Sequence, residues 1–172
     1  MAKISGCSAS VLNKRTILTA AHCVCNRAPS SVELPGVQHL HLPRLPTGSG
    51  CAVVRDYDLA VLKTSSDIAF NSNVQPIALF SRLRARCRHR PIISMGFGGD
   101  HNGISNVLNY AETTLTRSGC GSAYFCSSRQ PNFHLLRRQR RPDGLGVNSG
   151  ISSTTSLYAN VVRYASFINR YT

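Results

Sequence analysis

A length of 172 residues allows one domain, or two small tightly joined halves, and an apolar content of 42% suits a globular core with no stretch long enough to span a membrane. Twenty Lys+Arg against seven Asp+Glu give a formal charge of +13, which points toward nucleic acid, heparin-like polymers or an acidic membrane surface. Nine of those 20 basic residues, however, fall in two short runs, Arg82 to Arg90 and Arg137 to Arg141, and without them the balance is 11 against 7, an ordinary surface.

In chain order, Met1-Ala2-Lys3-Ile4-Ser5 contains no apolar core of the length a signal peptide needs. Seven cysteines nevertheless imply an oxidising compartment, and the odd number leaves one unpaired. A disulfide-dependent domain without an export signal predicts that the natural N-terminus lies upstream. An apolar strand, Val11 to Leu18, then runs into the small-residue turn Thr19-Ala20-Ala21, which presents His22 beside Cys23. A histidine that acts as a general base has to be held in this way, since a displacement of about 1 Å can cost roughly a hundredfold in rate. Leu18-Thr19-Ala20-Ala21-His22-Cys23 resembles, at six of six residues, the histidine motif of the trypsin-like (chymotrypsin-fold) serine proteases, peptidase family S1. The resemblance implies that His22 is the catalytic general base and that Cys7, sixteen residues earlier, is bonded to Cys23. Gly6-Cys7-Ser8-Ala9-Ser10-Val11-Leu12 resembles the family strand Cys-Gly-Gly-Ser-Leu-Ile. The family's mature start, Ile-Val-Gly-Gly, has no counterpart in the six residues before Cys7.

From Asn26 to Arg55, Pro29, Pro35, Pro43 and Pro46 predict loops, with Ser31 to Leu34 and Val37 to Leu42 as short strands. Cys23-Val24-Cys25 and His39-Leu40-His41 are poor zinc spacings, so no metal and no cofactor is expected. Asp56-Tyr57-Asp58-Leu59-Ala60-Val61-Leu62-Lys63 follows, a carboxylate entering a continuous apolar strand. Such a carboxylate can be partly buried and accept an imidazole N–H, fixing the tautomer and stabilising the imidazolium. The segment resembles the family's Asp-Ile/Leu-Ala-Leu/Val-Leu, which places the catalytic aspartate at Asp58.

Phe70 to Leu79 resembles the family's linker between its two barrels, Phe-x-x-x-Val-x-Pro-Ile-x-Leu. The alternating run Arg82 to Arg90 would, as a strand, put five arginines on one face. Ser94-Met95-Gly96-Phe97-Gly98 resembles the Gly-Trp/Phe-Gly that opens the second barrel, and Val107 to Leu115 has strand-like composition. Cys120 to Cys126 resembles a shortened form of a family disulfide loop, implying that these two pair. The pairing of Cys25, Cys51 and Cys87 stays open. Gly146 to Gly150 resembles the strand lining the family's primary specificity pocket, and Leu157-Tyr158-Ala159-Asn160-Val161 resembles Val-Tyr-x-x-Val. Val161, Tyr164, Ala165 and Ile168 share one face of a terminal helix, and Phe167-Ile168-Asn169 resembles Trp-Ile-Asn. The resemblance implies an all-β fold of two antiparallel six-stranded barrels, the first over residues 1–80, the second with a C-terminal helix over 81–172.

Between Cys126 and Gly146 the family carries Gly-Asp-Ser-Gly-Gly-Pro, the turn that exposes the nucleophile and supplies oxyanion-hole N–H groups. Here the chain reads Asn132-Phe133-His134-Leu135-Leu136-Arg137-Arg138-Gln139-Arg140-Arg141-Pro142-Asp143-Gly144, and no serine lies between Ser128 and Ser149. Permitted codons for His134 to Asp143, read one base later, give Thr-Cys-Ser-Gly-Asp-Ser-Gly-Gly-Pro. The nucleophile codon would then straddle Gln139 and Arg140. Arginine codons carry a central G, so an arginine run reads as glycine when shifted, but that bias does not supply the Cys, Asp, Ser and Pro in their places. The run from Arg82 to Arg90 permits a similar shift without an anchoring motif.

The expectation is thus a secreted, disulfide-bonded serine endopeptidase by descent that is inactive as written, whose partners are protein or peptide substrates, or a binding partner if inactive. One alternative is a non-catalytic protease homologue that binds through the same cleft. Another is a polyanion-binding basic module using the two arginine runs, with affinity falling steeply in salt.

Overall fold

The computed structural model describes residues 1–4, 6–24, 29–34, 38–41, 58–79, 90–97, 99–100, 103–104, 107–116, 124–127, 134–135, 147–152 and 155–172. Six strands form the first sheet: β1 (Ala2–Ile4), β2 (Cys7–Asn13), β3 (Thr16–Thr19), β4 (Ser31–Leu34), β5 (Gln38–His41) and β6 (Ala60–Lys63). Their spatial order is β5-β4-β1-β2-β3-β6, and every pairing is antiparallel. The stretch Val11 to Leu18, expected as one strand, is instead the two arms of a hairpin. The polar triplet Asn13-Lys14-Arg15 breaks it: Asn13 Oδ1 accepts the Arg15 N–H at 2.9 Å, a side-chain bond that competes with a straight ladder. The register shifts between Val11 and Asn13 on the way into that turn.

Burial alternates along β1 and β4 as in a half-buried strand, whereas β3 is buried at all four positions. Ala2, Ile4, Ala9, Val11, Ile17, Val32, Leu34 and Leu62 form one apolar cluster, closed at its far side by Ile68 and Val74 from the segment after β6. Asn71 holds that segment in a turn: its Oδ1 accepts the N–H groups of Asn73 and Val74 at 2.8 and 2.9 Å. Ile77 N–H then donates to Val11 O at 2.9 Å, bringing the linker back across the first sheet.

The second large sheet is also antiparallel. It contains β7 (Arg90–Gly96), β10 (Asn109–Thr116), β11 (Tyr124–Ser127), β12 (His134–Leu135), β13 (Val147–Ser152) and β14 (Thr155–Ala159). β7 runs along β10 from Leu115↔Arg90 to Asn109↔Gly96. With β10 its sole partner among the described residues, β7 tolerates Pro91, which lacks the N–H a central strand needs. A separate ribbon, β8 (Gly99–Asp100) with β9 (Gly103–Ile104), follows β7. The fold is therefore all-β, with two curled antiparallel sheets and a terminal helix as the sequence implies; the extra ribbon makes the strand count differ from six per barrel.

The terminal helix is short, α1 (Ala165–Asn169), preceded by turns rather than a helix starting at Val161. Ile168, fully buried, joins Leu18, Ala20, Leu59, Ala159 and Val161 in a second cluster. This cluster draws on the first sheet, the second sheet and the C-terminus together. Asn13 Nδ2 donates to Thr172 O at 2.9 Å and Thr16 Oγ1 to Tyr171 O at 3.3 Å, fastening the last residues to the first sheet. A further tie between the sheets is Phe97 N–H donating to Ser8 Oγ at 2.8 Å. Of the arginine run from Arg82, Arg90 alone lies within the described residues, as the first residue of β7.

Candidate active site

β3 delivers the histidine. After Thr19 the chain leaves the sheet at Ala20, whose φ of −76° and ψ of 143° are still extended, and enters a single 3-10 turn, Ala21–Cys23. Cys23 N–H donates to Ala20 O and Val24 N–H to Ala21 O, at 3.2 and 3.0 Å. Small residues suit this place because Ala20 is buried beneath the turn. Two ties fix the turn to β2: Thr19 Oγ1 donates to Ser8 O at 3.0 Å, and a disulfide joins Cys7 to Cys23 with Cα atoms 6.1 Å apart. That separation lies inside the roughly 4.4–6.8 Å that disulfides span.

The aspartate arrives by register. β6 pairs antiparallel with β3 so that Ala60 faces Thr19. Asp58, two residues before Ala60, therefore lies beside the turn that follows Thr19. Asp58 Oδ1 accepts the His22 backbone N–H at 2.9 Å, and Oδ2 lies 2.8 Å from His22 Nδ1. The Asp58 side chain is 2% exposed and the imidazole 40% exposed. A carboxylate can only accept, so the tautomer that makes this contact a hydrogen bond has its proton on Nδ1 and leaves Nε2 as the acceptor. Such an arrangement can serve as a general base: a partly exposed ring held on its Nδ1 side by a buried carboxylate. Nε2 lies 3.5 Å from Cys23 Sγ.

Cys7, His22 and Cys23 gather three donor atoms within 4.8 Å of one another, but both sulfurs are consumed in the disulfide and neither is the thiolate that a metal takes. Of the other expected site residues, Gln139 and Arg140 lie outside the described residues, as does Cys120. Cys126, in β11, is disulfide-bonded; since Cys7 and Cys23 bond each other, its partner is one of the four cysteines outside the described residues. Ser149, the next serine after the gap, lies in β13 where the pairing with β14 shifts between Asn148 and Gly150.

Two features carry no local signal in the sequence. Ser8 accepts a backbone N–H from the second sheet, a contact between residues 89 apart in the chain. Tyr158, in β14, is 5% exposed, and its buried hydroxyl has no hydrogen-bond partner among the described residues. The sequence reads Tyr158 only through the resemblance of Leu157 to Val161 to Val-Tyr-x-x-Val, which says nothing of its burial.

The family model described as "Trypsin" matches residues 1–133. Alkaline trypsin B of Manduca sexta is 28% identical over 143 residues, covering 76% of this chain and 56% of its own length. Hypodermin-A of Hypoderma lineatum is 31% identical over 86 residues, covering 45% of this chain and 34% of itself. The matched stretch thus spans little more than half of the trypsin relatives. Among solved structures, a mutant of human heparin binding protein superposes with a TM-score of 0.76 at 15% identity, over 98% of this chain and 88% of that one. An inactivated protease paralogue of the scabies mite gives 0.73 at 19% identity, over 95% and 85%. At those identities the likeness is one of fold.

Proposed function

As the chain belongs to the trypsin family, we propose that it is a serine endopeptidase by descent that keeps the general-base half of the hydrolytic machinery, lacks its nucleophile, and binds protein or peptide segments without cleaving them. The carrying observation is the pairing of His22 with Asp58, at 2.9 and 2.8 Å, in a chain with no serine between Ser128 and Ser149. In this reading His22 Nε2 would take the proton of an attacking hydroxyl, and Asp58 would hold the tautomer and offset the imidazolium charge. With the family's Gly-Asp-Ser-Gly-Gly-Pro turn absent from the sequence, no residue is assigned as the nucleophile or as the N–H donors that the acyl-enzyme and its tetrahedral precursor require.

The family match ends at residue 133, one residue before His134, where the reading displaced by one base begins. That coincidence supports a frameshift as the origin of the arginine run, with an active endopeptidase as its parent. The disulfides and the family together favour an oxidising, extracellular location. The weaker second reading, polyanion binding, draws on the net charge of +13.

A peptide aldehyde and the corresponding alcohol separate binding from chemistry. The aldehyde gains a covalent hemiacetal only where a nucleophile exists. Equal affinity of the two is the expected result. An aldehyde that binds at least about a hundredfold more tightly would mean that a nucleophile is present, contradicting the proposal.

A further inference from the structure

The acceptor nitrogen of His22 is not empty-handed. Nε2 lies 3.5 Å from Cys23 Sγ and Nδ1 lies 2.8 Å from Asp58 Oδ2, so the ring connects a buried carboxylate to a partly buried disulfide. We propose that the Cys7–Cys23 disulfide is a redox-active site for small thiols, with Cys23 the leaving sulfur, and that its reduced form presents a nucleophilic Cys23 thiolate supported by His22 and Asp58. This goes beyond the proteolytic reading and rests on the positions of these four side chains alone.

The chemistry follows from the leaving group. A small thiol of the glutathione class gives its proton to His22 Nε2 through solvent, forming the imidazolium. Its thiolate attacks Cys7 Sγ, the S–S bond breaks, and the electron pair passes to Cys23 Sγ. The products are a mixed disulfide on Cys7 and a Cys23 thiolate that accepts a charge-assisted hydrogen bond from Nε2–H. Asp58, a positioning residue, keeps the positive ring in place through Nδ1. A second thiolate attacks the external sulfur of the mixed disulfide, releasing the oxidised small disulfide and leaving Cys7 as a thiolate. Exchange is faster when the departing thiol is the more acidic, and a neighbouring imidazolium acidifies a thiol. His22, Cys7 and Cys23 gather within 4.8 Å, with Nε2 only 3.5 Å from Cys23 Sγ, so the sulfur beside the ring is the favoured leaving group: Cys7 is attacked and Cys23 leaves. Access is adequate, because Cys7 and Cys23 are only partly buried and His22 is exposed.

The test uses the full oxidised chain and reduced glutathione under native conditions. Reaction is stopped with acid at early times, free thiols are alkylated with N-ethylmaleimide, and peptides are mapped by mass. Glutathione is expected on Cys7 and maleimide on Cys23, in at least about fivefold excess over the reverse pattern. His22→Gln is expected to open about five- to tenfold more slowly, with the difference abolished in denaturant, where the ring no longer sits beside the sulfur. Asp58→Asn, which keeps an oxygen acceptor for the His22 N–H, should fall between the two. Glutathione spread evenly over both sulfurs or found on Cys23 would overturn the proposal, as would opening of His22→Gln at the native rate. The regiochemistry in the unmodified chain requires no variant to fold.

Discussion

At the residue scale, Asp58 has two separable duties. Oδ1 satisfies a backbone N–H of the histidine turn and Oδ2 fixes the imidazole. Asp58→Ala should therefore lower stability by about 1–3 kcal/mol in urea unfolding, because a partly buried N–H and the ring lose their acceptor. Asp58→Asn should cost less stability, yet its amide can donate toward Nδ1 and turn the ring to the Nε2–H tautomer. Nitrogen NMR of His22 checks this: Nδ1–H in the native chain, Nε2–H in the variant. A native ring already protonated on Nε2 would remove the base from the site. Tyr158 offers the opposite case. Its buried hydroxyl has no hydrogen-bond partner among the described residues, so Tyr158→Phe should leave stability unchanged or raise it by about 1–3 kcal/mol. A substantial loss in thermal unfolding would mean that the hydroxyl is satisfied in solution.

At the scale of elements, the histidine turn depends on one covalent tie. Cys7 and Cys23 are 16 residues apart, and a loop of about that length contributes about 3 kcal/mol in the chain-entropy picture. Replacing both with alanine should cost about that much in urea unfolding, and an unchanged midpoint would show that the hydrogen bonds of β2, β3 and β6 hold the turn unaided. The C-terminal helix has five residues, too few to be stable alone, so its docking through Ile168 is what forms it. Ile168→Ala should destabilise by about 2–5 kcal/mol and expose amides 165–171 to hydrogen exchange. The histidine turn and the aspartate strand are legible because each motif is contiguous, and the register of β3 with β6 brings the two side chains together. The hairpin at Asn13-Lys14-Arg15 was not, since it uses neither Gly nor Pro and its side-chain bond lies inside an otherwise apolar run. The β8–β9 ribbon escaped for a related reason: two residues per strand carry no periodicity. The helix starts at Ala165 rather than Val161, because the spacing of Val161, Tyr164, Ala165 and Ile168 reads alike in a helix and in turns packed on one cluster.

At the scale of the molecule, two sheets read from dispersed motifs are joined by contacts no motif announces. Ser8 with Phe97, Asn13 with Thr172 and Thr16 with Tyr171 each link residues far apart in sequence, and only register brings them together. Lys63 Nζ also donates to Thr16 Oγ1, at 2.7 Å, so Thr16 bridges a charged side chain and the C-terminal backbone from a fully buried position. The proposed loss of the nucleophile, by contrast, rests on the sequence alone, through what stands between Ser128 and Ser149. Fluorophosphonate labelling of the oxidised chain bears most directly on it, because the reagent phosphonylates a serine that a histidine has activated. No labelling above that of His22→Ala is expected, even at long exposure. Stoichiometric labelling that disappears in His22→Ala would contradict this, placing an activated serine beside the His22–Asp58 pair.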